Sequence, residues 1–201
     1  MRYKNLFNII PRNMLLIMPV SLVAACTPFE VVRTLGPDAA YTAAEERSLD
    51  DVWDDNKLKL ALNQALLDDS VDLFDGVGTV VYEGRVLLVG NVAHISERKR
   101  AEQIARAQAG VRSVVNRIHV GDGGGVLAYG KDVLIEKDIQ IRLLLDQQVA
   151  SANLRVRSVD RKIYLFGAAR DRREVNRTLT VVRATEDIRG VENLIWIRPG
   201  Q

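Results

Sequence analysis

Thiol and imidazole chemistry have few places to occur in this 201-residue chain, which holds one cysteine, Cys26, and two histidines, His94 and His119. A single cysteine excludes an intrachain disulfide framework and a cysteine-rich metal centre. His94 falls just past a predicted hairpin and His119 within a predicted strand, without the His-x-x-x-His spacing or paired cysteines that would hold zinc. Both read as surface or edge histidines. Ser96 stands before Glu97 and reads as a helix N-cap, not a nucleophile. The glycine-rich run from Gly121 to Gly125 lacks the lysine and the strand-to-helix setting of a phosphate loop, and reads as a flexible linker. No catalytic, metal or cofactor constellation is assembled, so the sequence reads as a non-enzyme.

Cys26 is the residue with a chemical context. Arg2, Lys4 and Arg12 form a basic start without any acidic residue. An apolar run over 14–23 follows, and Ala24 and Ala25 then lead into Cys26. This is the three-part order of a secretory signal. Residues 14–25 would span about 18 Å as helix, too short for a hydrocarbon core of about 30 Å.

Val23-Ala24-Ala25-Cys26 resembles the bacterial lipobox, in which the thiol is acylated and the cysteine becomes the new N-terminus. Small residues before it let a peptidase reach the backbone. Several acyl chains on one terminus make anchoring effectively permanent, where one chain holds only marginally. The resemblance implies a lipoprotein, and Thr27 in place of an aspartate favours the outer membrane, facing the periplasm. Removal of the signal would leave 25 basic against 26 acidic residues. Residues 26–48, with Gly36-Pro37, read as a tether.

The rest of the chain has the composition of a folded protein, 47% hydrophobic and 27% charged. A net charge of +2 gives no electrostatic case for nucleic acid. Its length allows two small domains, and an internal repeat supports that division. The glycine-bounded strand 84–90 aligns with 160–167, Gly110-Val111 with Gly190-Val191, and the helix residues 58–62 with 139–143. Each copy gives one element order. A first helix has an apolar stripe at Leu58, Ala61, Leu62, Ala65 and Leu66. A hairpin turns at Glu83-Gly84 or Asp160-Arg161. A second helix follows, with Ala101, Ile104 and Ala105 inward in copy one and Val175, Leu179 and Val182 in copy two, where Asp171 and Glu174 form a capping box. A last strand covers 114–120 or 194–198. The predicted class is α+β: two tandem αββαβ units, each a three-stranded mixed sheet with two helices on one face. Residues 49–121 and 129–201 are the predicted domains, joined by a Gly-rich linker over 122–128.

The spacing Gly-x-Val/Ile-x-Leu-x-Gly, followed by an Ala/Arg-rich helix and Gly-Val-x-x-Val/Leu, resembles the BON domain. Two such units behind a lipobox are similar to the dual-BON outer-membrane lipoproteins and to the periplasmic osmotically inducible BON proteins. The resemblance implies binding at membrane surfaces. On this alignment the asparagine of the last strand is kept as Asn116 in copy one and replaced by Trp196 in copy two, which also carries three extra residues after Gly167.

Surface chemistry then separates the copies. Residues 49–121 hold 9 basic and 11 acidic residues, and residues 129–201 hold 14 and 10. A positive domain suits anionic phospholipid headgroups, at roughly 1 kcal/mol per Lys or Arg near the surface. The predicted helix over 132–147 directs Ile135, Ile139 and Leu143 to its own sheet. It carries a second apolar stripe of Leu134, Ile141, Leu144 and Leu145, beside Lys131, Lys137 and Arg142. Such a stripe can enter a membrane interface or pack against copy one. The candidate contact residues are therefore Lys131, Leu134, Lys137, Ile141, Arg142 and Leu145. Arg170, Arg173 and Arg177 fall within about 60° of one another on an ideal helix and form a secondary basic face. Membrane phospholipids are the expected partners, with a non-catalytic adaptor that docks on an envelope complex as the alternative.

Overall fold

The computed structural model describes residues 48–121 and 125–198. The expected signal segment, Cys26 and nearly all of the expected tether lie outside the described residues. Copy one starts at Ser48, whose Oγ accepts the Asp51 N–H (3.1 Å) at the start of helix α1, Leu49–Asp69. A short helix α2, Val71–Gly76, follows, then strands β1, Val77–Tyr82, and β2, Arg85–Val92. Helix α3, Ile95–Ala107, crosses over to β3, Ser113–Val120. Copy two repeats the order with α4, Gly125–Leu145, a 3-10 turn at Ser151–Asn153, β4, Leu154–Val159, β5, Lys162–Ala169, α5, Arg172–Arg183, and β6, Gly190–Ile197. Both sheets are mixed, with a central strand antiparallel to its hairpin partner and parallel to the last strand. A parallel neighbour requires a crossover, and α3 and α5 supply it.

Two findings differ from the sequence expectation at element level. Helix α2 was not foreseen. The helix of copy two starts at Gly125 rather than Asp132, so much of the expected 122–128 linker is helical. The N-cap of α3 is also His94, not Ser96. The His94 N–H donates to Glu97 Oε2 (2.9 Å), and Ser96 lies inside the first turn. At α5, Asp171 does cap through the Glu174 N–H (2.9 Å). The Glu174 carboxylate turns instead to the N–H groups of Ala150 (2.6 Å) and Arg170 (2.9 Å).

Side chains alternate across each central strand, and here both faces are covered. Val86 and Leu88 pack under α1 and α3, while Leu87 and Val89 point the other way. Ile163 and Leu165 pack under α4 and α5, while Tyr164, Phe166 and Ala168 meet Leu87 and Val89 in a third cluster. The two sheets therefore stack on each other with helices outside, in four layers. The seam is also polar at its rim. Trp196 meets Tyr82 edge-on at 5.6 Å and carries the Arg85 guanidinium at 4.3 Å. Arg198 donates to Glu83 and to the Tyr82 hydroxyl, both at 2.9 Å, and His119 Nε2 lies 2.7 Å from Tyr164 Oη. Glu192 binds Arg117 of the other domain and Lys162 (3.0 Å). Burial pushes its carboxyl upward, but those two cations outweigh it and hold the pKa below the ordinary glutamate value.

The stacked copies are related by one constant offset of 77 residues, which corrects the sequence alignment. Central and last strands pair Arg85 with Ser113 in copy one and Lys162 with Gly190 in copy two. Leu58, Leu62 and Leu66 thus correspond to Ile135, Ile139 and Leu143, all buried. A helix alignment four residues out looks equivalent in the sequence, because four residues is about one turn and returns nearly the same face. No residues are inserted after Gly167. The last-strand asparagine is present in both copies: Asn116 Oδ1 accepts the Ile118 N–H and Asn193 Oδ1 accepts the Ile195 N–H, each at 3.1 Å. Trp196 corresponds to His119, not to Asn116.

Two further devices repeat at this offset. Each hairpin turn has positive φ at both central residues, Glu83 and Gly84 or Asp160 and Arg161, as a type I′ turn requires. A buried aspartate on the first helix holds each turn. Asp55 accepts the Glu83 and Gly84 N–H groups (2.7 and 2.8 Å), and Asp132 accepts those of Asp160 and Arg161 (both 2.8 Å) and the Ser158 hydroxyl (2.5 Å). Gly90 and Gly167 have φ of 123° and 129°, and a Cβ there would lie 2.2 Å and 2.1 Å from the Gly76 and Asn153 carbonyl oxygens. Only glycine lets the strand pass so close to the preceding chain.

Candidate membrane-contact site

Helix α4 is long enough, at about 31 Å, to serve two surfaces. Ile135, Ile139 and Leu143 point into the domain core. On another side, Leu127 (85%), Leu134 (72%), Ile141 (54%) and Leu145 (63%) stand in solvent. At 100° per residue these four lie within about 40° of one line. Leu134, Ile141 and Leu145 are thus not covered by copy one, the alternative left open by the sequence. Leu144 does not belong with them and is half-buried. Leu127 does belong, and sequence reasoning missed it because residue 127 was placed in the linker. With the offset of 77, the matching residues of copy one are Asp50, Lys57, Gln64 and Asp68, so this stripe is particular to copy two.

The basic residues divide. Lys131 and Lys137 are exposed on either side of the stripe. Arg142 is engaged within the helix, donating from Nε to Asp138 (2.7 Å), so its charge is already partly answered. The secondary basic face does not form as expected. Arg170 precedes the N-cap of α5 and folds onto the buried Glu174 carboxylate (2.9 Å) and the Gln148 carbonyl (3.2 Å). Arg177 pairs with Asp146 at 2.8 Å. Arg173 alone of the three points outward, 96% exposed.

Copy one presents an apolar line that the sequence reading did not single out: Trp53, Leu60 and Leu67, all exposed on α1 and seven residues apart. Their spacing was the available signal, hidden by the inward stripe one position away. Asp50 and Asp68 border it, and the Lys57 ammonium stands 5.7 Å over the Trp53 ring. Of the two histidines, His94 is exposed at a helix start and His119 sits at the domain seam. Among the described residues, no group of His, Cys, Asp and Glu is arranged to hold a metal ion, and no helix is long and apolar enough to cross a membrane.

A duplicated αββαβ unit, stacked through its sheets and showing apolar lines on its outer helices, defines the class as a tandem α+β two-domain protein. The chain belongs to the BON domain family, whose profile matches residues 54–122 and 131–199. Several curated proteins are similar. An uncharacterised protein of Anaplasma centrale is 30% identical over 71% of this chain and 91% of its own length. The osmotically-inducible protein Y of Escherichia coli is 27% identical over 70% of this chain and 71% of its own. The outer membrane lipoprotein DolP of Haemophilus influenzae is 27% identical over 66% of this chain and 69% of its own.

Proposed function

We propose that this chain is a lipid-anchored envelope protein that touches the membrane through the outer stripe of α4 and supports outer-membrane integrity. The observation that carries this reading is the line of Leu127, Leu134, Ile141 and Leu145, exposed where copy one places polar residues. Insertion of these side chains would supply hydrophobic affinity. Lys131 and Lys137 would add a preference for anionic phospholipid at roughly 1 kcal/mol each, reduced as salt shortens the screening length. Cys26 would carry the acyl chains at the outer membrane, facing the periplasm, and similarity to a protein named as an outer membrane lipoprotein supports that placement.

Flotation of the chain lacking residues 1–26 with liposomes tests the surface contact apart from the anchor. The Leu134→Glu variant is expected to lose flotation while its circular dichroism stays native. Unchanged flotation would remove α4 from the reading, and equal flotation on neutral and anionic liposomes would remove the headgroup part. One observation favours the adaptor alternative. The Trp53, Leu60 and Leu67 line has a border of mixed charge, with Asp50 and Asp68 beside it and Lys57 over the Trp53 ring at 5.7 Å, which suits a protein of an envelope assembly or division complex better than a uniformly anionic surface. Binding through that line would be indifferent to lipid charge.

A further inference from the structure

Helices α1 and α4 each carry an outward apolar line, and the two lines share one spacing. Trp53, Leu60 and Leu67 on α1, and Leu127, Leu134 and Ile141 on α4, are exposed at intervals of seven residues, about 10.5 Å along a helix. Within one molecule neither line is covered by the other.

The flanks of the two lines are complementary. At 100° per residue, Asp50, Lys57, Gln64 and Asp68 stand roughly 40–80° to one side of the α1 line. Lys131, Asp138 and Arg142 stand roughly 35–75° to the same side of the α4 line. Two helices packed face to face and antiparallel bring flanks of the same rotational sense together. With Leu60 opposite Leu134, Trp53 faces Ile141 and Leu67 faces Leu127. The flanks then come level as Asp50 with Arg142, Lys57 with Asp138, and Gln64 with Lys131, while Lys137 on the other side meets Asn56. Both charged meetings join opposite signs. Lys57 and Arg142 already sit in exposed pairs with Asp54 (3.3 Å) and Asp138 (2.7 Å), but such pairs within one helix hold weakly. Like-with-like packing fits less well. Two α1 lines set antiparallel bring Asp50 against Asp68, and two α4 lines leave Arg142 without an acidic residue opposite.

We propose that α1 of one molecule packs antiparallel on α4 of a second molecule, so that the chain associates with itself head to tail. The contact is heterologous, since it joins two different surfaces of one protein. Three apolar layers form its centre, with the Trp53 ring as the largest side chain, and the charged flanks set its direction and register. The pairing rests only on the two exposed lines and their flanks, not on the membrane reading. The two are compatible: a molecule whose α4 lies on a membrane still presents its α1 line to the α4 of a second molecule.

The test is sedimentation equilibrium of the chain lacking residues 1–26, which keeps every described element. Association is expected with a Kd of about 0.1 mM. Leu60→Glu alone and Leu134→Glu alone should each weaken it at least about tenfold, because each buries a charge in the contact. Mixed together, the two variants should pair one to one, since the first keeps an intact α4 line and the second an intact α1 line. Asp50→Arg should also weaken association, and adding Arg142→Asp to the same chain should restore it. Both leucines are exposed, so circular dichroism of the variants stays native. A monomer at every concentration up to about 0.5 mM, undiminished association of either leucine variant alone, no pairing in their mixture, or no restoration by the second charge change would overturn the proposal. Leu60→Glu keeps its α4 line and its flotation on liposomes, so failure of the pairing and failure of the membrane contact are read separately.

Discussion

Removing the carboxylate of Asp132 measures how much of copy two depends on one side chain. In the native fold it accepts the N–H groups of Asp160 and Arg161 and the hydroxyl of Ser158, and it is itself buried. Asp132→Ala leaves two partly buried turn amides without an acceptor, at about 1–3 kcal/mol each. It also leaves the positive φ of Asp160 and Arg161 (50° and 66°) unsupported. Relief from burying a carboxylate returns a part of this, so a net loss of about 3–5 kcal/mol is expected. Asp132→Asn keeps one acceptor oxygen and is expected to lose about half as much. Equilibrium urea denaturation followed by circular dichroism gives both values. Adding Arg161→Gly to Asp132→Ala should recover about 1 kcal/mol by easing the left-handed position. A loss below about 1 kcal/mol for Asp132→Ala, with an unchanged denaturant slope, would refute the claim that this aspartate holds the turn.

Three other outcomes are expected. Gly167→Ala combines a positive φ with a 2.1 Å approach to the Asn153 carbonyl, so a loss of at least about 3 kcal/mol in urea midpoint experiments is anticipated, against under about 0.5 kcal/mol for an exposed site such as Gln147. Glu192 has a lowered folded-state pKa, so its contribution is present above the unfolded glutamate value and fades as pH falls through the folded one. Thermal melts between neutral pH and pH 3 should therefore show less acid sensitivity for Glu192→Gln than for wild type, and equal sensitivity would count against the seam pairing. Cys26→Ser should leave a protein that no longer fractionates with membranes, and intact mass should show acyl chains on wild type alone.

Much of the fold was legible because hydrophobic period carries it. The alternation in 77–89 and 154–166 and the one-sided stripes of the helices name strands and helices without further help. The buried aspartates were not legible, since an aspartate near a helix start ordinarily reads as a charge that suits the helix dipole. Their recurrence at Asp55 and Asp132, three residues before the first core residue of each copy, was the signal. The sheet stack was missed for a related reason. Residues 163–169, Ile-Tyr-Leu-Phe-Gly-Ala-Ala, are apolar without alternation, the pattern of a strand covered on both faces, yet two helices on one face account for only half of them. The outer line of α4 was legible from 134 onward as residues that the core did not require. The basic face at Arg170, Arg173 and Arg177 failed because an ideal helix was extended past a cap at Asp171. Beyond that cap, Arg170 is free to fold back onto Glu174.

The constant spacing of the copies has a consequence at the level of the gene. Because every equivalent residue lies 77 positions away, recombination between the two halves at any matching point deletes one whole period and leaves an intact αββαβ unit, with turn aspartate, glycine crossing and last-strand asparagine all in place. Such a shortened chain would nonetheless be handicapped, since the face formed by Leu87 and Val89, or by Tyr164 and Phe166, would lose its cover. A bare apolar sheet face invites self-association. The duplication is thus easy to reverse in sequence and costly to reverse in solution, and the stacked sheets act as a ratchet that retains both copies.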